Sequence, residues 1–591
     1  MHASLVAKLS DLARTSPDRV AMKARVDGSW KSWTWGEYHS EVRAIAKGLL
    51  ALGHQVGDGV ALVGKNRPEW VFCELAIMAL RGPPAPIYTT NTADQVAFIV
   101  DNCGAQIAIG DDDEQIDKFQ SSIAEGKMKC AHLITMGASK EGVKSLEDLK
   151  ALGTAVPDSV LDERIAGITL EETCLLIYTS GTTGTPKGVQ LTHHAIASLM
   201  DAIRERFSPI WDNYRVVSYL PLCHVAEQIF TTFTHLHTGG EVWFCPDLKE
   251  IKDYLAESHP TVFLGVPRVW EKFQAALEAR LGSATGVKAA LTKWARNTEL
   301  TSFKEEVRLG KPVTSISRKL ANRLVIRKVK AALGLDQLML AASGAAPISV
   351  HTLEFFASLG IVIHEAYGMS ETVGVVTISH YGRPRFGTVG SAIKGVQVRI
   401  AEDGEVQAKG PVITNGYYRM PKETAELFSD DGWLCTGDLG EIDADGNLKI
   451  TGRKKDILIT AGGKNIAPAE MEAYIQTIVG VAQAVVVGDR KPYLCALVTL
   501  DVEALPALRT ATGAAAEDVA GLSQDPKVQQ WIFAQVESSC NARIASYQTI
   551  KRITVLPNEF SVDGGELTPT MKLRRNVVAK KYADTIEQLF V

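Results

Sequence analysis

The densest chemistry in this 591-residue chain lies in YTSGTTGTPKGV, Tyr178 to Val189. Serine, threonine and glycine crowd together after the apolar run Cys174–Ile177, which reads as a strand, and the stretch ends on Lys187. Glycines let backbone N–H groups point into one concavity, hydroxyls add donors and the lysine supplies charge, a combination that suits a triphosphate cradle. A flexible surface loop would share that composition, so the stretch alone does not decide. It is not a Walker loop, which requires Gly at 186 and Ser or Thr at 188, where the chain has Pro186 and Gly188. Further on, YLPLCHVAEQ sets Cys223 beside His224. On a strand, adjacent side chains point to opposite faces, which argues against a Cys/His nucleophile pair.

The elements that must position these residues alternate. VALVG (Val60–Gly64) reads as a buried strand, and Pro68 stands where a first helical turn tolerates it, opening the helix EWVFCELAIMAL. PAPIY is a second short strand. Thr92 and Gln95 form a capping-box pattern at the start of DQVAFIVDNC, Gly104 closes that helix, and the strand QIAIG follows. Strand–helix–strand repetition at this spacing predicts an α/β fold with right-handed parallel units flanked by helices. Glycine-rich segments recur at strand ends near 180, 344 and 367, where an open sheet binds its ligands. The longest charge-free run, Gln337 to Leu353, contains Ser-Gly and Pro and reads as a loop. Toward the C-terminus, APAEMEAYIQTI is helical, and AQAVVVGDRKPYLCALVTLD reads as two strands joined by a turn. A large domain over residues 1–452 and a small α+β domain over 453–591 are predicted, meeting in TGRKKD.

Composition narrows the class. The chain is 46% apolar and 22% charged with a net charge of −5, so no overall basic field exists to collect nucleic acid. Nine scattered cysteines form no C-x-x-C pair, which fits a reducing cytosol. MHASLVAKLSDLARTSPDR lacks the apolar stretch of a signal peptide, and no run reaches the roughly 18 residues of a membrane span. The expected location is cytoplasmic. Residues 288–330 carry twelve Lys/Arg against three Asp/Glu, with Trp294, Leu320, Leu324 and Val325 among them. That segment reads equally as a peripheral face for the inner side of a membrane or as a solvated, partly mobile insertion.

TSGTTGTPKG closely resembles the phosphate loop of the adenylate-forming superfamily, which contains acyl- and aryl-CoA synthetases, luciferases and peptide-synthetase adenylation domains. The resemblance implies that Thr179, Ser180, Gly181, Thr182, Thr183, Gly184 and Lys187 bind the nucleotide phosphates, Lys187 also acting catalytically. HEAYGMSET (His364–Thr372) is similar to the family's adenine segment. By that likeness Glu365, Ala366, Tyr367, Gly368, Met369 and Ser370 line the nucleotide, Tyr367 stacks on adenine, Ser370 meets phosphate and Glu371 is a Mg²⁺ ligand. An aromatic face against a purine and a carboxylate on a hard cation are sound chemistry for those roles. SGAAPI resembles the adenine-wall loop, with Gly344, Ala345 and Ala346 allowing close approach of the base. DGWLCTGDLGEIDADGNLKITGRKKD (Asp431–Asp456) resembles the signature block of fatty acyl-CoA synthetases, in which Asp438 and Arg453 would hold the ribose hydroxyls. Lys572 in ELTPTMKLRR matches the family's catalytic lysine, bridging carboxylate and α-phosphate as charge develops. Lys455 occupies the hinge position. His224 matches the LPxxH motif near the acyl and α-phosphate site.

The resemblance spans roughly residues 15 to 590 and is finest to long-chain fatty acyl-CoA synthetases, including the bubblegum type, through VPRVWEKF, LITAGGKNIAPAEME and LTPTMKLRR. It implies ATP, Mg²⁺ and coenzyme A as cofactors and co-substrates and a fatty acid as substrate. The small domain is implied to be mobile, swinging about Lys455 between adenylation and thioester formation. An acyl-AMP ligase loading a carrier protein would carry an insertion before the hinge, and Asp438–Asp456 is uninterrupted. No residue argues for luciferase-like oxygen chemistry. A non-catalytic fatty-acid-binding scaffold is opposed by intact Lys187, Glu371, Asp438, Arg453 and Lys572.

Overall fold

The computed structural model describes residues 2–180, 185–282, 284–562, 564–568 and 573–591. A first sheet of five parallel strands is ordered Pro84–Ile87, Val60–Val63, Ile107–Gly110, His132–Thr135, Val143–Ser145. Its first three strands are buried at every residue, as expected where helices cover both faces. The connecting helices form where the local signals place them. Pro68 is the first residue of the helix Pro68–Ala79, in which every residue but Glu69 is buried, the pattern of a helix surrounded by protein. Thr92 and Gln95 make a reciprocal capping box on Ala93–Cys103, and Gly104 caps its end in the left-handed region.

A second sheet sets Val262–Leu264, Leu340–Ser343 and Ile363–Tyr367 in parallel and adds two short antiparallel strands, Thr377–Ile378 and Ser391–Ala392. The loop expected over Gln337–Leu353 is therefore only a turn. Leu340–Ser343 is a fully buried central strand and the helix Val350–Ala357 begins before the run ends. Small residues there give no β-branched signal, and pairing with neighbours on both sides makes the strand. Thr173–Ser180 and Pro186–Thr192 form an antiparallel hairpin, and a four-stranded antiparallel sheet, Gln397–Ile400, Glu405–Lys409, Leu434–Ile442 and Leu448–Arg453, follows.

Apart from residues 310–315, residues 288–330 are helical, in Gly286–Leu309, Ile316–Ala321, the π turn Asn322–Ile326 and the start of Arg327–Ala332. Their inner side joins a core cluster with Trp270 and Phe356, so Val325 is buried rather than outward. Among the described residues no helix is long and apolar enough to cross a membrane. The last strands, Val481–Val487, Leu494–Leu500 and Ile550–Leu556, build a mixed sheet with helices including Ala469–Gln476 and Pro526–Ser539. The two hydrophobic clusters of this region draw only on Leu458 and residues after it.

Candidate active site

The carboxyl ends of two parallel neighbours make the floor of the site. Ser343 lies opposite Glu365 in the register of Leu340–Ser343 and Ile363–Tyr367, so SGAAPI and the segment after Tyr367 leave the sheet side by side. A side chain on Gly344 would stand 3.2 Å from the Ala366 carbonyl oxygen, and Ala345 takes a left-handed φ of 69° that only a small residue tolerates cheaply. Ala345 and Ala346 are exposed, leaving a thin wall. His364 is buried and pushed down to about 4 by that burial. It is neutral, with Nδ1–H donating to the Ala341 carbonyl at 3.1 Å and Nε2 accepting the Gly382 N–H at 2.9 Å. Burial pushes the Glu365 carboxyl up to about 8, so it too is neutral near pH 7.

Tyr367, Asp438 and Arg453 come together although they span 86 residues of sequence. Asp438 and Arg453 face each other across the antiparallel pair Leu434–Ile442 and Leu448–Arg453. Arg453 Nε donates to Asp438 Oδ1 at 2.8 Å, and the Tyr367 hydroxyl donates to Oδ2 at 2.8 Å. Burial, and then the Asp438 charge, hold the Tyr367 hydroxyl well above its usual range, so it remains a donor. The carboxylate is thus aimed by one donor on each oxygen, with lone pairs left for a ligand diol.

Glu371 lies in the turn Ser370–Thr372 and is 5% exposed. Its Oε1 accepts the Tyr417 hydroxyl at 2.7 Å, and its carbonyl accepts the Thr414 N–H at 2.8 Å. Lys187 stands on Pro186–Thr192, opposite Thr179, rather than at the end of a loop, and its Nζ lies 4.9 Å from the centre of the Tyr417 ring. Residues 414–418 run beside that strand, Tyr418 N–H donating to the Gly188 carbonyl at 2.7 Å and Gln190 N–H to Gly416 at 3.1 Å. Tyr417 thus joins the hairpin lysine to the Glu371 carboxylate. Sequence reasoning missed Tyr417 and Thr414, since no spacing links them to residues more than forty positions upstream.

Cys223 and His224 do not lie on a strand. Arg215–Ser218 ends before them, and His224 caps the short helix Val225–Gln228, its Nδ1 accepting the Ala226 N–H at 3.1 Å. Burial drives the Cys223 thiol well above its usual range, which removes it as a nucleophile more directly than strand geometry does. Val225 packs on Gly374, where an added side chain would meet Ile229 at 2.6 Å, so the His224 turn abuts the stretch that follows Glu371. Lys455 sits in the single turn Lys454–Asp456 directly after Arg453. Its neighbour Lys454, also missed, is held 2.5 Å from Asp403 and 3.1 Å from Glu405. Gly181, Thr182, Thr183, Gly184, the Ser180 side chain and Lys572 lie outside the described residues. Gly368, Met369 and Ser370 continue from Tyr367 to Glu371, the Met369 N–H donating to Thr372 Oγ1 at 3.0 Å.

Among the described residues no three His, Cys, Asp or Glu stand together as a metal cluster. A magnesium ion takes one or two carboxylates and completes its shell with phosphates and water. Glu371, buried with its Oε1 accepting the Tyr417 hydroxyl, has the chemistry such an ion would need.

The model of the AMP-binding enzyme family matches residues 9–418, and that of the AMP-binding enzyme C-terminal domain matches 455–591. Among curated relatives, the long-chain-fatty-acid–CoA ligase FadD15 of Mycobacterium tuberculosis is 36% identical, covering 100% of this chain and 97% of its own. The long-chain-fatty-acid–CoA ligase ACSBG2 of Homo sapiens is 33% identical over 96% and 90%. Two solved structures share the fold. MatB from Rhodopseudomonas palustris with ATP bound has a TM-score of 0.70 at 24% identity, covering 99% of this chain and 100% of that one. The carboxylic acid reductase A domain from Segniliparus rugosus, complexed with AMP and a carboxylic acid, has a TM-score of 0.75 at 20% identity over 100% and 94%. With the family model spanning most of the chain and such relatives matched end to end, the protein belongs to the AMP-binding enzyme family.

Proposed function

We propose that the protein is a long-chain fatty acid–CoA ligase. In the first half-reaction a carboxylate oxygen attacks the α-phosphorus of ATP, the bond to the β-phosphate breaks, and acyl-AMP and pyrophosphate form. In the second the CoA sulfur attacks the acyl carbon, the bond to AMP breaks, and the thiol proton is released. The reading is carried by the Asp438 carboxylate, aimed by Tyr367 from the end of a parallel strand and by Arg453 across an antiparallel pair, in a chain matched end to end by ligases of that name.

On this reading Asp438 and Arg453 take the ribose hydroxyls, Tyr367 and the SGAAPI wall enclose adenine, and Lys187 with the TSGTTG stretch takes the phosphates. Glu371 would hold magnesium, which when bound supplies positive charge to the phosphate oxygens. Lys572 would stabilise the charge developing between carboxylate and α-phosphate, and His224 would stand near the reacting groups. The small domain starts at Arg453, pivots at Lys455 and exchanges Lys572 for CoA between the half-reactions. Its boundary is supported by apolar clusters drawn only from Leu458 onward. The test is fatty-acid-dependent exchange of pyrophosphate into ATP that needs magnesium but not CoA. ADP and phosphate as products would refute adenylation, and AMP release with transfer only to a carrier protein would refute the CoA assignment.

A further inference from the structure

The two helical stretches between residues 286 and 332 pack their inner side into the core through Ala295, Ala321, Val325 and Ile326. The outer side of the second is unusual. Ile316, Leu320 and Leu324 recur every four residues and are 87%, 46% and 37% exposed. The wide π turn Asn322–Ile326 keeps the third near the line of the first two. Beside them Lys319, Arg323 and Arg327 are exposed, and none has a carboxylate within ion-pair distance among the described residues. The three acids of the segment are already engaged: Glu299 and Glu306 hold Arg318 at 2.7 and 2.6 Å, and Glu305 lies 3.5 Å from Arg308. The face is therefore a line of aliphatic tips flanked by uncompensated cations, on a chain whose net charge is −5.

We propose that this face docks the enzyme on an anionic phospholipid bilayer. Cations on a protein surface are drawn to acidic headgroups, and short aliphatic side chains between them gain by entering the headgroup–acyl boundary. The aliphatic row holds no aromatic residue, the kind of side chain enriched at the buried centre of protein interfaces. The choice of a lipid surface rests on the fatty-acid reading above, because a substrate drawn from a bilayer gives the face a use, yet docking is measurable without any substrate.

The full-length protein is sedimented with vesicles of phosphatidylcholine, with and without about one third phosphatidylserine, at low and high salt. Binding to the acidic vesicles only, released by salt, is expected. One variant carries Ile316→Ser, Leu320→Ser and Leu324→Ser, and another Lys319→Gln, Arg323→Gln and Arg327→Gln. Each should lower the partition coefficient at least tenfold while leaving vesicle-free pyrophosphate exchange unchanged. Equal recovery in the supernatant with both lipids overturns the proposal, as does binding that survives both variants. A vesicle-independent dimer lost in the same variants also overturns it and gives the face to a second copy. If exchange is absent in the parent protein while vesicle binding behaves as expected, the ligase reading fails and the docking face stands.

Discussion

Replacing Tyr417 by phenylalanine removes one oxygen from the middle of the site. The ring that Lys187 lies over at 4.9 Å remains, and only the hydroxyl donated at 2.7 Å to Glu371 is lost. Both residues are buried, Tyr417 at 8% and Glu371 at 5% exposure, so water replaces the lost donor poorly. A hydrogen bond to a charged acceptor contributes about 1.5–3 kcal/mol, equivalent to about ten- to a hundredfold in an equilibrium constant. If the hydroxyl serves to aim the carboxylate at magnesium, that factor appears in the metal dependence. The concentration of magnesium giving half-maximal pyrophosphate exchange should rise by about tenfold or more, with the maximal rate nearly restored at saturation. Tyr417→Leu, which removes the ring as well, should also raise the KM for ATP, because Lys187 loses its cation–π support of roughly 0.5–2 kcal/mol. An unchanged magnesium curve in Tyr417→Phe, accompanied by a lower thermal midpoint, would make Tyr417 a packing residue and refute the orienting role.

Lys572→Ala should lose about 10²–10³ in adenylate formation yet still convert supplied acyl-AMP and CoA to thioester, whereas Lys455→Pro should form adenylate and stall at transfer, since proline stiffens the pivot. Loss of the same half-reaction in both, followed separately by pyrophosphate exchange and thioester release, would overturn their assignment. Burial holds Glu74 up at about 8 against an unfolded value near 4.5, so the native state keeps its proton longer and stability falls as pH rises through that window. Glu74→Gln should therefore lessen the decline in urea midpoint between pH 6.5 and 8, the part that Glu227 and Glu365 contribute, held at about 7 and about 8, remaining, and an unchanged slope would count against it. Arg268→Glu should disturb the partition between half-reactions and Asp501→Arg in the same chain should restore it, because these residues pair at 2.6 Å between the two regions. Additive effects in that cycle would show that the pair is not coupled.

Local chemistry explains what could be foreseen. Pro68, the Thr92–Gln95 box and Gly104 are signals read within one helical turn, and the first parallel sheet follows from them. The site motifs were legible because each is a continuous run of residues. What remained hidden depends on distant partners. Tyr417 meets Glu371 across 46 positions, and Arg268 meets Asp501 across 233. Leu340–Ser343 is a strand because sheet neighbours flank it, which its own small side chains do not announce. Cys223 and His224 were misplaced because an apolar run before a helix looks like a strand until its cap is seen.

The self-contained packing of the C-terminal region has a consequence for what may be done with it. Ile475, Leu497, Val536 and their neighbours spend their apolar area on one another, and charged pairs such as Arg268–Asp501 and Lys272–Glu503 fasten the region to its neighbour. Fastenings of that kind exchange for water and counter-ions at small cost, unlike a shared oily seam. On the proposed division the region behaves as a cartridge, and two separately produced pieces cut near Asp456 should associate into a working whole, less well as ionic strength rises.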